Sequence, residues 1–231
     1  MTDIVLVNQT TVLTDAQVAA VVPVLQTLFA RDFEPVWATG LAVKVSVGLA
    51  PAATAWPIYL MDTTDVPGAG GYHADDTATP TGKIFVKDAM DAGEEWTVDL
   101  THEFLEMCSD PTTNVLIALP GMPGYSCLRE VGDAVEADQF GYEINGVLVT
   151  DWCTPEYFYQ IGHSAVPRGM YDFKNHLHAP APALLDGGYL GIQAPDGSWS
   201  MVSDFVGASG IASRRARRTM GRINRAARRS A

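Results

Sequence analysis

The sequence predicts an α+β fold in which a mixed sheet packs on helices and a basic segment follows at the C-terminus. Three observations support this fold class. The order of the predicted elements is strand, helix, three strands and a second helix; two hairpins follow; and arginines crowd the last part of the chain. The length of 231 residues suits one sizeable domain, 1–208, with residues 209–231 as a tail.

The first elements are predicted from hydrophobic periodicity and from helix-capping signals. Residues 4–7 read as a short buried strand. A helix then begins after Thr14, because Gln17 stands three residues later and completes a capping box. Pro23 interrupts the apolar face of this helix and is expected to kink it. Further strands are predicted at residues 41–47, 56–61 and 84–86.

The second half of the chain is punctuated by turn residues. Residues 98–107 predict a helix, which ends at Asp110 because a residue before proline avoids helical geometry. Residues 120–124 form a hard turn, and residues 128–140 read as either a short helix or an extended segment. Hairpins are predicted at 142–149 and 189–202, each around an Asn-Gly or Asp-Gly turn dipeptide.

The helix at 98–107 contains the motif His102-Glu103-x-x-Glu106. Residues four apart share one helix face, so His102 and Glu106 are positioned to bind one metal ion from the same side. Glu103 is then the candidate general base for a metal-bound water. Because glutamate replaces the second histidine of a zinc-peptidase helix, the motif predicts a metal site more strongly than it predicts a peptidase. The alternative is a solvated helix whose polar residues face water.

A catalytic zinc site needs a third protein ligand, and the candidates lie downstream of the helix. Either Asp133 or Glu130 is expected to bind the ion, while the other orients a ligand. His73, which follows a glycine pair, is a candidate cleft residue, and its alternative is an exposed loop histidine. For His176 and His178, a solvated proline-rich loop is preferred over metal binding.

The residues of the motif region resemble those of a known family. Residues 101–114, followed by Glu130-Val-Gly-Asp133, are similar to the HExxE…P…N…EIGD pattern of the plant exordium (phosphate-induced) proteins and of zincin-like proteins from bacteria and tailed phages. The segment Gly71-Tyr72-His73 is similar to the stretch before their motif. The resemblance covers roughly residues 70–155, and it departs from exordium proteins in its few cysteines and in its lack of a secretory signal.

The resemblance implies a zincin-like fold with the HExxE motif in an active-site helix. It implies zinc near His102, Glu106 and one of Glu130 or Asp133, with Glu103 at the water position. The resemblance supports the site more than a reaction; the expected function follows from the residues of the site, with Glu103 activating a metal-bound water, and is a metal-dependent hydrolase, a zincin-like metallopeptidase acting on a peptide substrate. The alternative is a non-catalytic zincin-like protein, structural or virion-associated, whose basic tail binds nucleic acid or a protein partner.

Charge is divided unevenly along the chain. Eight of the 15 basic residues lie in the tail, which leaves seven basic residues against 27 acidic ones in the rest. Such asymmetry is typical of an acidic domain with an interaction arm, which here could bind nucleic-acid phosphates, an anionic membrane or an acidic protein surface. The alternative is a disordered tail that contacts the chain's own acidic body or a neighbouring subunit. The arginines of the tail are Arg214, Arg215, Arg217, Arg218, Arg222, Arg225, Arg228 and Arg229.

Composition also limits where the protein is expected to work. No apolar run approaches the roughly 20 residues of a transmembrane helix, and the N-terminus lacks the pattern of a signal peptide. The three cysteines, Cys108, Cys127 and Cys153, are widely spaced and predict reduced thiols. A cytoplasmic or virion-associated protein is therefore expected.

Overall fold

The structure is a computed structural model that describes residues 1–49, 51–66, 69–74, 79–160 and 166–203. In this part of the chain the protein is a mixed α+β fold with a mixed sheet, an antiparallel sheet and helices. The predicted boundary at residue 208 and all eight arginines of the tail lie outside the described residues.

The first sheet is mixed, as predicted. Its strand order is β2-β1-β3-β5-β4; the first four strands of that order run parallel, and β4 pairs antiparallel with β5 at one edge. The near-continuous burial of the central strands reflects helices packed on the sheet. The strands are β1 (Thr2–Asn8), β2 (Val43–Val47), β3 (Trp56–Met61), β4 (Gly71–Ala74) and β5 (Thr81–Phe85).

The predicted capping box at the first helix is confirmed. The Thr14 N–H donates to Gln17 Oε1 at 2.9 Å, and the Gln17 N–H donates to Thr14 Oγ1 at 3.3 Å. Pro23 lies inside the helix, which passes into a π-helical turn at Leu28–Phe33. The helices are α1 (Asp15–Thr27), α2 (Glu34–Trp37), α3 (Val86–Asp91), α4 (Trp96–Ser109) and α5 (Pro155–Tyr159).

Both predicted hairpins are present. Asn145 and Gly146 close one of them with φ of 52° and 78°, the positive values that a tight hairpin turn requires. The second hairpin extends an antiparallel sheet of order β11-β10-β7-β6. These strands are β6 (Leu116–Ala118), β7 (Ser126–Leu128), β8 (Tyr142–Ile144), β9 (Val147–Val149), β10 (Tyr189–Gln193) and β11 (Trp199–Ser203).

One local prediction is wrong, and two strand pairings were not predicted. The turn at 120–124 is present, but it joins β6 and β7, a hairpin that the sequence patterns did not indicate. Residues 128–140 form neither one helix nor one strand, because β7 ends at Leu128 and two short 3₁₀ turns follow at Asp133–Val135 and Asp138–Phe140. Residues 71–74 form the edge strand β4, which pairs with β5, where the sequence patterns indicated no strand.

Helix α4 lies at the centre of the fold, against β4, β5 and β9. Its inner face carries Phe104, which meets the ring of Phe29 edge-on with the centroids 6.3 Å apart. Because the helix is packed on several sides, its polar residues are held inside the protein together with its apolar ones. The three cysteines are buried and free, in agreement with the predicted thiols. No helix in the described ranges has the length and hydropathy needed to cross a membrane.

Candidate metal centre

The motif residues on α4 are buried. His102, Glu103 and Glu106 are 5%, 3% and 0% exposed. The alternative of a solvated helix is therefore wrong. Charged side chains are rarely buried unless they are paired or bind a metal, so the helix carries polar groups that the fold must satisfy internally.

His102, Glu106 and Asp133 converge on one point. His102 Nε2 lies 3.1 Å from Glu106 Oε1 and 3.2 Å from Asp133 Oδ1, and Asp133 is 2% exposed. Ligands of a tetrahedral zinc ion stand about 2.0–2.1 Å from the metal, which places neighbouring ligand atoms about 3.3 Å apart. One imidazole and two carboxylates at these separations fit a divalent cation.

Gly132 allows the downstream segment to close on the motif helix. A Cβ atom on Gly132 would lie 2.5 Å from His102 Nδ1, a distance that no side chain tolerates. The Gly132 N–H also donates to Glu106 Oε1 at 3.1 Å and so orients that carboxylate. Sequence reasoning missed this residue, although a glycine between two acids was the available signal.

The protonation of His102 follows from its neighbours. Burial disfavours the charged imidazole, but the charge of Glu106 and the hydrogen bonds with Asp133 and Glu106 outweigh it, so the pKa of His102 is raised well above its usual value. In the metal-free protein a proton therefore lies between His102 and the carboxylates. A metal that binds there must displace it.

His73 forms a second meeting point on the other side of Glu106. It lies on β4 with its side chain fully buried, so the alternative of an exposed loop histidine is wrong. His73 Nδ1 is 3.1 Å from Glu103 Oε2 and 3.6 Å from Glu106 Oε2. His73 Nε2 is 3.2 Å from the carbonyl oxygen of Asp110.

The two candidates for the third ligand lie near different imidazoles. Asp133 contacts His102, whereas Glu130 Oε2 lies 3.9 Å from His73 Nε2. The geometry therefore favours Asp133 as the partner of His102 and Glu106. Glu130 is 3% exposed and flanks the site on the side of His73.

No protein-family model, curated protein or solved structure matches the chain. The resemblance to exordium and zincin-like proteins therefore stays a prediction from the motif residues. What supports a metal centre is the geometry of the buried side chains.

A third group of ligand-type side chains was missed by the sequence analysis. His176 Nδ1 lies 3.3 Å from Asp151 Oδ2 and 3.6 Å from Asp172 Oδ2. His176 was predicted to lie in a solvated loop, but it is half-buried, whereas His178 is exposed. Since 25 residues separate His176 from Asp151, no local pattern could have joined them.

Backbone hydrogen bonds give this third group a structural role. Asp151 Oδ1 accepts from the N–H groups of Trp152 and Lys174, and Asp172 accepts from those of His176 and Leu177. Burial and the neighbouring Asp172 raise the pKa of Asp151 to about 9. At neutral pH Asp151 therefore keeps its proton, and the pair ties two loops together.

Proposed function

We propose that the chain is a metal-dependent hydrolase of the zincin-like type, with zinc held by His102, Glu106 and Asp133. The observation that carries the proposal is the convergence of these three buried side chains, with separations of 3.1 Å and 3.2 Å from His102 Nε2. Three protein ligands are typical of catalytic zinc, because a fourth position remains for water. Bound zinc supplies a Lewis acid that polarises a carbonyl and makes a water molecule more acidic.

Glu103 is proposed as the general base. It follows His102 directly on α4, and its Oε2 lies 3.1 Å from His73 Nδ1. His73 is in turn fixed by the Asp110 carbonyl, so Glu103 has a defined orientation. In this arrangement Glu103 accepts a proton from water, and His73 stabilises its position.

The layout around α4 supports the zincin-like fold of the proposal. The motif helix packs against a mixed sheet whose edge strand β4 runs antiparallel to its neighbour, and β4 brings His73 to the motif. Two carboxylates in the ligand set make it harder than a site of three imidazoles. Manganese is therefore a reasonable second metal to assay beside zinc.

The test compares two isosteric variants, Glu103→Gln and Asp133→Asn, on a denatured protein substrate such as casein. We expect Glu103→Gln to lose turnover while it keeps the cation at His102, because only the base is removed. Asp133→Asn is expected to lose both the cation and turnover. Wild-type turnover in zinc-loaded Glu103→Gln would refute the proposed base, and full metal content in Asp133→Asn would refute the proposed ligand.

A non-catalytic role is the second candidate, and burial favours it. The residues of the site are each 5% exposed or less, so a substrate reaches the ion only if the surrounding structure opens. These residues are His73, His102, Glu103, Glu106, Glu130 and Asp133. A metal in such a place contributes directly to folding. In this role the protein is a structural or virion-associated component, and the arginines of the tail bind nucleic acid or an acidic protein partner.

The two candidates differ in what metal removal does. Treatment with a chelator lowers the midpoint of thermal unfolding in both cases, because a ligand that binds only the folded state stabilises it. Only the hydrolase loses a measurable turnover. A zinc-loaded protein that hydrolyses neither casein nor a mixed peptide pool supports the structural role.

A further inference from the structure

We infer that His73, Glu103 and Glu106 form a second divalent-cation position beside the first, with Glu106 bridging the two. A cation at this position binds the Glu103 carboxylate, which can then no longer act as the general base. The inference rests on the metal centre of the proposed function and adds a regulatory position to it. Its ligands are one imidazole and two carboxylates, which suit Zn²⁺ or Mn²⁺.

The bridging arrangement is visible in the two oxygens of Glu106. Oε1 faces His102 Nε2 at 3.1 Å, and Oε2 faces His73 Nδ1 at 3.6 Å. One carboxylate therefore points a separate oxygen at each of two imidazoles. Glu106 is 0% exposed, so both oxygens are aimed into the protein interior.

The hydrogen bonding of His73 provides an independent argument. A carbonyl oxygen only accepts, so the contact of 3.2 Å with Asp110 requires a hydrogen on Nε2 of His73. The other ring nitrogen, Nδ1, faces Glu103 Oε2 at 3.1 Å and Glu106 Oε2 at 3.6 Å. A cation between these three atoms would contact one nitrogen and two carboxylate oxygens. A metal-bound histidine commonly donates its other N–H to a backbone carbonyl in this way.

Packing holds these ligands in place. A Cβ atom on Gly71, two residues before His73 on β4, would lie 3.0 Å from Glu103 Cγ, so the strand backbone lies directly against Glu103. The His73 side chain is 0% exposed and that of Glu103 is 4% exposed. Both side chains are therefore enclosed by the protein, which favours a fixed arrangement of the ligands.

The regulatory consequence follows from the shared use of Glu103. Without a cation at this position, the Glu103 carboxylate is available to accept a proton from water. When a cation lies there, Glu103 Oε2 is a ligand and no longer accepts a proton. Excess divalent metal is therefore expected to inhibit turnover while it increases the metal content of the protein.

The experiment counts bound metal directly. Metal-free protein is titrated with Zn²⁺, desalted and analysed by mass spectrometry of the elements, in a His176→Gln background that disables the third ligand group. We expect two equivalents of zinc. His73→Gln and Glu103→Gln should each retain one equivalent, and Glu103→Gln, which keeps the shape of the side chain, gives the answer if His73→Gln does not fold. His178→Gln, at an exposed histidine, is the matched control and should retain two.

The possible results separate the inference from the proposed function. If the parent protein binds only one equivalent, and that equivalent survives in Glu103→Gln but is lost in Asp133→Asn, the second position is overturned and the first centre stays intact. No bound zinc in the parent protein overturns both. Bridging is tested by loading Mn²⁺ and recording the electron paramagnetic resonance spectrum. Spin coupling between two ions supports a shared Glu106, whereas two uncoupled ions overturn the bridge.

Discussion

Replacing Gly132 by alanine tests the close approach that builds the metal centre. The backbone of Gly132 has φ −91° and ψ −29°, which alanine adopts without strain. The whole effect of the substitution therefore comes from the new methyl group, which would lie 2.5 Å, 2.7 Å and 2.9 Å from three ring atoms of His102. Either the ring of His102 or the segment that carries Asp133 must move.

The magnitude combines two effects. Overpacking a buried position costs about 1–3 kcal/mol. Movement of the segment also weakens the hydrogen bond from the Gly132 N–H to Glu106 Oε1, and a bond to a charged group contributes about 1.5–3 kcal/mol. Because the hydrogen bond is weakened and not lost, only part of the second effect applies, and we expect the free energy of unfolding to fall by roughly 2–4 kcal/mol. The zinc affinity should fall roughly 10–100-fold because a neighbour of the ligands is displaced.

Urea unfolding and zinc titration measure the two effects. With a slope of about 2 kcal/mol per molar urea, the midpoint should fall by roughly 1–2 M. Gly48→Ala is the matched control, because its methyl group meets only the end of the Val5 side chain at 3.2 Å. If Gly132→Ala behaves like Gly48→Ala in both stability and zinc affinity, the close packing of this segment on His102 is refuted.

Three further predictions concern the rest of the chain. Thr14→Ala removes the capping box with Gln17 and should cost about 1 kcal/mol in urea unfolding without changing zinc affinity; a change in affinity would contradict a purely local role for the cap. Burial and a neighbouring carboxylate raise the pKa of Asp151 to about 9, so the metal-free protein should lose stability as pH rises from about 4, where the unfolded carboxyl ionises, towards 9. Asp151→Asn should reduce this loss and Asp196→Asn should not; the remaining loss comes from His102, whose pKa is also raised. An unchanged profile in Asp151→Asn would count against a buried acid. Deletion of residues 209–231 should abolish salt-sensitive binding to DNA and leave zinc binding intact, and equal DNA binding by both proteins would show that the arginines are not the contact.

Local sequence signals predicted much of the fold because their physics is local. The capping box at Thr14 and the Asn145-Gly146 turn each depend on residues within a few positions of one another, and both are present. The spacing of His102 and Glu106 likewise follows from the pitch of a single helix, and the contact between them is 3.1 Å.

The features that the sequence did not predict depend on contacts between segments that are distant along the chain. The edge strand β4 is short, and only its pairing with β5 identifies it as a strand. His73 and Glu103 contact each other although they are 30 positions apart in the sequence. That Asp133 and not Glu130 contacts His102 depends on the close approach of the Gly132 backbone to the His102 ring. Hydrophobic periodicity carries no information about such approaches, because it records which face is buried and not what lies opposite.

The metal content of the purified protein tests the central claim most directly. Elemental analysis compares the metal content of the wild-type protein with that of His102→Ala, which lacks the imidazole ligand. Circular dichroism checks that both proteins are folded. We expect the wild type to retain zinc or a similar divalent metal and His102→Ala to hold at least one equivalent less. Equal metal content in the two folded proteins, or no affinity for divalent metal in the wild type, would contradict a metal centre at His102, Glu106 and Asp133.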